Sequence, residues 1–207
     1  MSNNQYYLIR HGQDRDNFEG ILNGHRNQSL TKTGINQAIE LANKIKEKNI
    51  SIDVVLSSSL KRAYETAKTV SNINDFPKAQ IENLLIERDF GIMTGKKITD
   101  IAKLCSPNII IADKITYFLD PDGAETFPDL MSRAGKLLDK LNTAYQNKNI
   151  LLVTHGDFGK MFFAFYYHLD WKEVLTSFHF GNSEMLILSP KYSPKNAKLI
   201  SINQYNA

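Results

Sequence analysis

One cysteine, Cys105, stands in a chain of 207 residues, so neither an internal disulfide nor a cysteine-rich metal site can form. That usage suits a reducing compartment. No apolar run is long enough to span a bilayer, which takes roughly 20 residues; the longest extends only from Met161 to Tyr167. The first residues are polar and uncharged, unlike a secretory leader. A net charge of +3, with no dense run of Lys and Arg, argues against a nucleic-acid partner. No internal period marks a repeat array. These absences leave a cytoplasmic protein, a monomer or homodimer, with no membrane and no nucleic-acid partner. What is present, 42% apolar and 23% charged residues, is the composition of a globular domain.

Hydrophobic patterning divides the chain into strands and helices in alternation. Gln5 to Ile9 reads as a buried strand, and so does Ile52 to Leu56. Ile150-Leu151-Leu152-Val153 is the clearest buried strand. Residues 80–84 suggest a further strand, and Met185 to Ser189 and Leu199 to Ile202 suggest two final ones. A helix is predicted from Thr31, its N-cap, with Ile35, Ala38, Ile39, Ala42 and Ile45 on one face. A second carries Leu60, Ala63, Ala67 and Val70, and a loop is expected from Ser71 to Lys78. Lys96 to Leu104 suggests a short helix. A long helix starts at a Thr126–Asp129 capping pair, and another starts just after His155. The stretches 14–29 and 105–125 read mostly as loop. Strands alternating with helices predict an α/β fold with a mainly parallel sheet.

Polar residues gather where strands end. Leu8-Ile9 runs into Arg10-His11-Gly12, and Val153-Thr154 runs into His155-Gly156. In open α/β sheets, ligands bind beyond the carboxyl ends of the strands. Arg62 lies in the first turn of its helix, where the macrodipole disfavours a cation unless an anion docks there. Two guanidiniums match a tetrahedral dianion, each offering a planar pair of donors. A neutral imidazole can attack phosphorus and carry the phosphoryl group covalently. The leaving oxygen then needs a proton, and Glu87, in a charged cluster wedged between apolar residues, is the candidate acid. With cationic side chains neutralising the phosphoryl charge, this chemistry needs no metal and no cofactor.

Leu8-Ile9-Arg10-His11-Gly12 resembles the signature of the histidine phosphatase superfamily, which includes the cofactor-dependent phosphoglycerate mutases. Further blocks resemble the family in order along nearly the whole chain: Ser29-Leu30-Thr31 with Gly34 and Gln37-Ala38, Ser57-Ser58 with Arg62-Ala63 and Glu65-Thr66-Ala67, Glu87 with Phe90-Gly91, Asp122-Gly123 with Glu125-Thr126 and Arg133, Val153-Thr154-His155-Gly156, and Asn182-Ser183. The resemblance implies one domain over 1–207, a three-layer sandwich whose mainly parallel central sheet carries helices on both faces. It implies that His11 is the phosphorylated nucleophile and Glu87 the acid and then the base. Arg10, Arg62, His155 and Asn17 would hold the phosphoryl group. Independently of the resemblance, the helix start after His155 offers backbone N–H groups, from Gly156 on, to the same pocket. Gln13 departs from the glutamate common at its position and removes one negative charge.

Other residues read more plainly. His25 is expected to be a solvated loop histidine, His168 a cation near a helix C-terminus, and His179 a packing residue between two phenylalanines. Lys96 and Lys97 are expected in solvent, and the histidine spacing does not suit zinc. The expected function is hydrolysis of a small phosphate monoester through a phosphohistidine. A phosphoglycerate mutase is the first alternative; mutases of the resembled family carry a basic insert after the acid segment, whereas 98–125 holds only Lys103 and Lys114 as cations. A non-catalytic module binding a phosphorylated ligand is the second, but it would be expected to have lost His11 or Glu87.

Overall fold

The computed structural model describes residues 3–113, 115–177 and 179–204. In chain order the elements are β1 (Gln5–Arg10), α1 (Arg15–Glu19), α2 (Lys32–Glu47), β2 (Val54–Ser57), α3 (Lys61–Asn74), β3 (Gln80–Ile81), α4 (Ile101–Cys105), β4 (Ile109–Ile111), β5 (Thr116–Phe118), α5 (Phe127–Ala144), β6 (Asn149–Thr154), α6 (Gly156–Tyr166), α7 (Trp171–Ser177), β7 (Met185–Leu188) and β8 (Lys198–Ile200). The main sheet has the order β3-β2-β6-β1-β7-β8. Neighbours from β3 to β1 pair in parallel, while β7 runs antiparallel to both β1 and β8. This is the expected mainly parallel sheet.

Period-2 alternation sends each central strand's side chains to both faces, and both faces are covered. Tyr6, Leu8, Ile150 and Leu152 pack with Leu130, Leu137, Phe158 and Phe162 of α5 and α6. Tyr7, Ile9, Leu151 and Val153 pack on the other side with Leu41, Ile45, Ala63 and Val70 of α2 and α3. A smaller cluster of Phe90, Met93, Ile101, Cys105 and Phe118 ties the β4–β5 hairpin to the loops beside it. Among the described residues, no helix is long and apolar enough to cross a membrane.

Several local expectations are corrected. The segment 105–125 forms the β4–β5 hairpin, Ile109 opposite Phe118; its strands are three residues each, too short for alternation to be read. The early loop contains α1, capped by Asp14, whose carboxylate accepts the N–H of Asn17 at 2.7 Å. The α3 helix continues to Asn74 and stops at Asp75, which has left-handed backbone (φ +55°). α7 has no counterpart in the sequence reading. On α2 the buried face is rotated from the expected one: Leu41 and Gln37 point inward, while Ile35 and Ile39 are largely exposed. Gln37 is buried on that face with Leu41, its Oε1 accepting the backbone N–H of Gln13 at 2.8 Å.

Glycine at 12 and 34 is a packing requirement. A Cβ on Gly12 would clash with the Gly34 carbonyl oxygen, and one on Gly34 would clash with that of Gln13. The start of α2 can therefore press directly against the turn that carries His11. Thr31 secures it, accepting the Gly34 N–H at 3.1 Å and donating to Gln13 Oε1 at 2.8 Å. The charge missing at Gln13 thus belongs to this joint, and Gln13 is absent from the cavity wall.

Candidate active site

Strand register brings the two histidines together. β1 and β6 pair in parallel with Arg10 opposite Thr154, so His11 and His155 follow as neighbours one residue beyond. Their ring centroids are 5.0 Å apart. His11 Nδ1 is 2.7 Å from the Gly12 carbonyl, which can only accept, so Nδ1 carries the proton and Nε2 keeps its lone pair. His155 Nε2 is 2.8 Å from Ser58 Oγ at the end of β2. Arg62, entering from α3, places Nε 3.2 Å from His11 Nε2 and 3.2 Å from His155 Nδ1. Both imidazoles are held well below the usual histidine range, first by burial and then by the Arg62 guanidinium. They are neutral at physiological pH, as a nucleophilic nitrogen requires.

Arg62 is fully buried. Its Nη1 donates to the Arg26 carbonyl at 2.7 Å and its Nη2 to that of Gly24 at 2.8 Å, which pins the early loop over the site. Its counter-ion is Asp14, also fully buried, 3.2 Å from Nε. The sequence reading missed Asp14, because a carboxylate in a polar loop gives no sign of its burial. Removing one partner of a buried pair leaves an uncompensated charge, a loss of about 3–5 kcal/mol. Asp14→Ala is therefore expected to lower unfolding stability by roughly 3 kcal/mol in urea titrations. Added phosphate should recover part of the loss; an unchanged midpoint would refute the pairing.

Glu87 stands at the N-terminus of α6. Its Oε1 accepts the N–H of Arg88 at 2.9 Å and that of Phe158 at 3.1 Å, and its Oε2 accepts that of Asp157 at 3.4 Å. Those bonds favour the carboxylate, yet burial and then the neighbouring Asp157 carboxylate push its pKa above the usual range. Asp157 is paired with Arg88 at 2.8 Å, and the Arg88 guanidinium packs against Phe90, Phe118 and Phe127.

A cavity of about 310 Å³ opens here, with Arg10, Asn17, Glu87, Gly156 and Asn182 in its wall. Arg10 Nη1 donates to the Phe180 carbonyl at 2.6 Å, while its buried Nε has no hydrogen-bond partner. A side chain on Gly156 would project between Arg10 and Glu87. Asn17 accepts from Asn182 Nδ2 at 3.3 Å, and the same amide donates to the His11 carbonyl at 3.0 Å. Of the seven expected site residues, Arg10, Asn17, Glu87 and Gly156 line the cavity, and His11, Arg62 and His155 form a buried contact cluster joined to that wall through the neighbouring pairs Arg10–His11 and His155–Gly156.

The motif residues without chemistry of their own hold those with it. Thr66 Oγ1 accepts the Gly12 N–H at 3.1 Å, and Glu65 accepts that of Leu30 at 2.8 Å. Arg133 grips Glu125 in a two-pronged ion pair and donates to the carbonyls of Leu84, Ile86 and Glu87, fixing the acid segment.

His25 is exposed in the early loop, as expected, and also bonds the Glu87 carbonyl at 2.8 Å, which ties that loop to the acid segment. The expectation for His179 is corrected: it is exposed and borders the cavity, where packing was expected. Lys96 and Lys97 are exposed and outside the cavity wall, and His168 is exposed just past α6. Lys114 lies outside the described residues. Lys160 and Tyr117, both in the wall, were missed as site residues. A lone lysine inside the apolar α6 was the available signal for the first; the second sits on the hairpin that was read as loop.

The sequence matches the model of the histidine phosphatase superfamily (branch 1) over residues 6–203. The chain belongs to that superfamily. Among its relatives, the 2,3-bisphosphoglycerate-dependent phosphoglycerate mutase of Bradyrhizobium diazoefficiens is 27% identical over 76% of this chain and 78% of its own. The uncharacterized phosphatase PhoE of Bacillus subtilis is 31% identical over 72% of this chain and 70% of its own. Among solved structures, a phosphoserine phosphatase from Entamoeba histolytica, in complex with 3-phosphoglyceric acid, superposes with a TM-score of 0.74 at 25% identity, covering 97% of this chain and 96% of the other. This superfamily member therefore has both phosphatase-named and mutase-named relatives.

Proposed function

We propose that the chain, as one domain over 1–207, hydrolyses small phosphate monoesters through a phosphohistidine on His11. The observation that carries this reading is the cluster of an unprotonated His11 Nε2 with the Arg62 guanidinium 3.2 Å from it, directly behind a cavity whose wall holds Arg10 and Glu87. In the first step the Nε2 lone pair attacks phosphorus and the P–O bond breaks. Glu87, as the carboxylic acid, gives its proton to the departing oxygen. In the second step the Glu87 carboxylate takes a proton from water as that water attacks phosphorus, and the P–N bond breaks. Inorganic phosphate leaves, and His11 returns to its neutral form. Arg10, Arg62, His155 and Asn17, with the N–H groups at the start of α6, would hold the equatorial oxygens through both steps.

The mutase-named relatives support a second reading, in which the phosphoryl group returns to a phosphoglycerate. Incubation of the purified chain with 3-phosphoglycerate and a trace of 2,3-bisphosphoglycerate separates the two. Phosphate release matching substrate loss is expected; isomerisation without matching release would refute the hydrolase reading.

A further inference from the structure

The space beside the phosphate end does not stop at Glu87. A neighbouring cavity of about 170 Å³ shares Ile115, Tyr117, Lys160 and His179 with the wall of the first. Lys160 lies four residues after Gly156 on α6, one helical turn along the same face. Its ammonium is buried, yet it borders both cavities. The Tyr117 hydroxyl at 2.7 Å and the Leu175 carbonyl at 3.2 Å are among the groups that orient it. Nothing in the hydrolytic cycle above calls for a cation there, one turn away from the reacting phosphorus.

We propose that Lys160, oriented by Tyr117, binds a carboxylate carried by the leaving group, so that phosphate monoesters of short hydroxy acids are the preferred substrates. The inference rests on the hydrolase reading and adds a specificity determinant to it. A compact ammonium beside a hydroxyl suits a single carboxylate. A second phosphate suits it less, because Glu87 and Asp157 already place two carboxyl groups in the same wall and a dianion would meet both. Apolar side chains of Leu22, Phe90 and Ile115 border the same space and suit a short carbon chain.

The ammonium is also poised to report on itself. Burial pushes Lys160 down to about 8, with Asp157 pulling it up and Arg10 pushing it further down. Among the described residues, Tyr117 on β5, Glu87 at the N-terminus of α6, and Asp113 and His179 in the adjoining walls are the other titratable groups facing it.

The test compares phosphoglycolate, and its homologues one and two methylenes longer, each with the n-alkyl phosphate of equal length. A preference of roughly tenfold or more in kcat/KM for the carboxylated ester is expected at one length at least, the scale of one hydrogen bond to a charged group. Lys160→Met should bring that ratio close to one, Lys160→Arg should keep most of it, and Tyr117→Phe should reduce it. In the unaltered protein the preference should fade as pH rises through about 8, a readout that needs no variant to fold. Equal ratios in the parent and Lys160→Met proteins, or no preference at any length, would overturn the proposal while leaving hydrolysis standing. Absence of phosphate release from every ester, p-nitrophenyl phosphate included, would overturn the hydrolase reading and this one with it.

Discussion

Replacing His11 by alanine is expected to lower kcat on any phosphate monoester by at least about 10⁴-fold, since no second nucleophile can inherit the step. The reason lies in the lone pair. The Gly12 carbonyl fixes the proton on Nδ1, burial keeps the ring uncharged, and Arg62 lies 3.2 Å from the attacking nitrogen. His155 has both ring nitrogens engaged, Nδ1 with Arg62 at 3.2 Å and Nε2 with Ser58 at 2.8 Å, and is expected to hold the phosphoryl group and not to accept it. Brief reaction of the parent protein with radiolabelled substrate should trap a phosphoryl group that survives alkali and is lost in acid, the behaviour of a P–N bond. The His11→Ala protein should trap none. Parental hydrolysis of p-nitrophenyl phosphate by that variant would remove His11 from the mechanism.

Glu87→Gln is expected to slow turnover by roughly 10²–10⁴-fold, the usual range for losing one general acid or base. Glutamine fills the same space and its carbonyl can still accept the N–H groups of Arg88 and Phe158, so the fold should hold. The two steps are separable by leaving group. p-Nitrophenolate departs without much help from an acid, so the variant should release a burst of it and then stall, because the water step still lacks its base. A steady rate with no burst would argue that Glu87 does not serve the second step. The pH dependence has a definite sign. A general acid works only while protonated, and burial together with Asp157 raises the Glu87 pKa. Parental kcat/KM should therefore fall as pH rises through that raised value, and Glu87→Gln should lose this limb. A limb unchanged in the variant would assign it to another group.

Both effects depend on residues that could be found without coordinates, and it is instructive which others could not. Arg10, His11 and His155 announce themselves because a buried strand has no use for polar side chains until it leaves the core. Arg62 is legible because a cation in a helix's first turn is out of place without an anion. Asp14, Ser58 and Tyr117 carry no such signal. A carboxylate in a polar loop, a serine among serines and a tyrosine in an unread hairpin look like surface chemistry until the fold buries them. The rotated face of α2 is of the same kind: spacing favours Ile35 and Ile39, but the fold turns Leu41 and the polar Gln37 inward, where Gln37 accepts the N–H of Gln13.

From its order of residues alone this chain determined its alternation of strands and helices, its family blocks and which residues are proposed as nucleophile and acid. Those properties are local, written in hydrophobic period and in the few positions where a polar side chain ends a buried strand. Tertiary structure alone decided the rest: the β1–β6 register that seats one imidazole beside the other, the burial that makes both neutral and raises Glu87, the Asp14 counter-ion, and the lysine one turn beyond the site. Distance through space and exclusion of water set those properties, and neither is a function of neighbours along the chain.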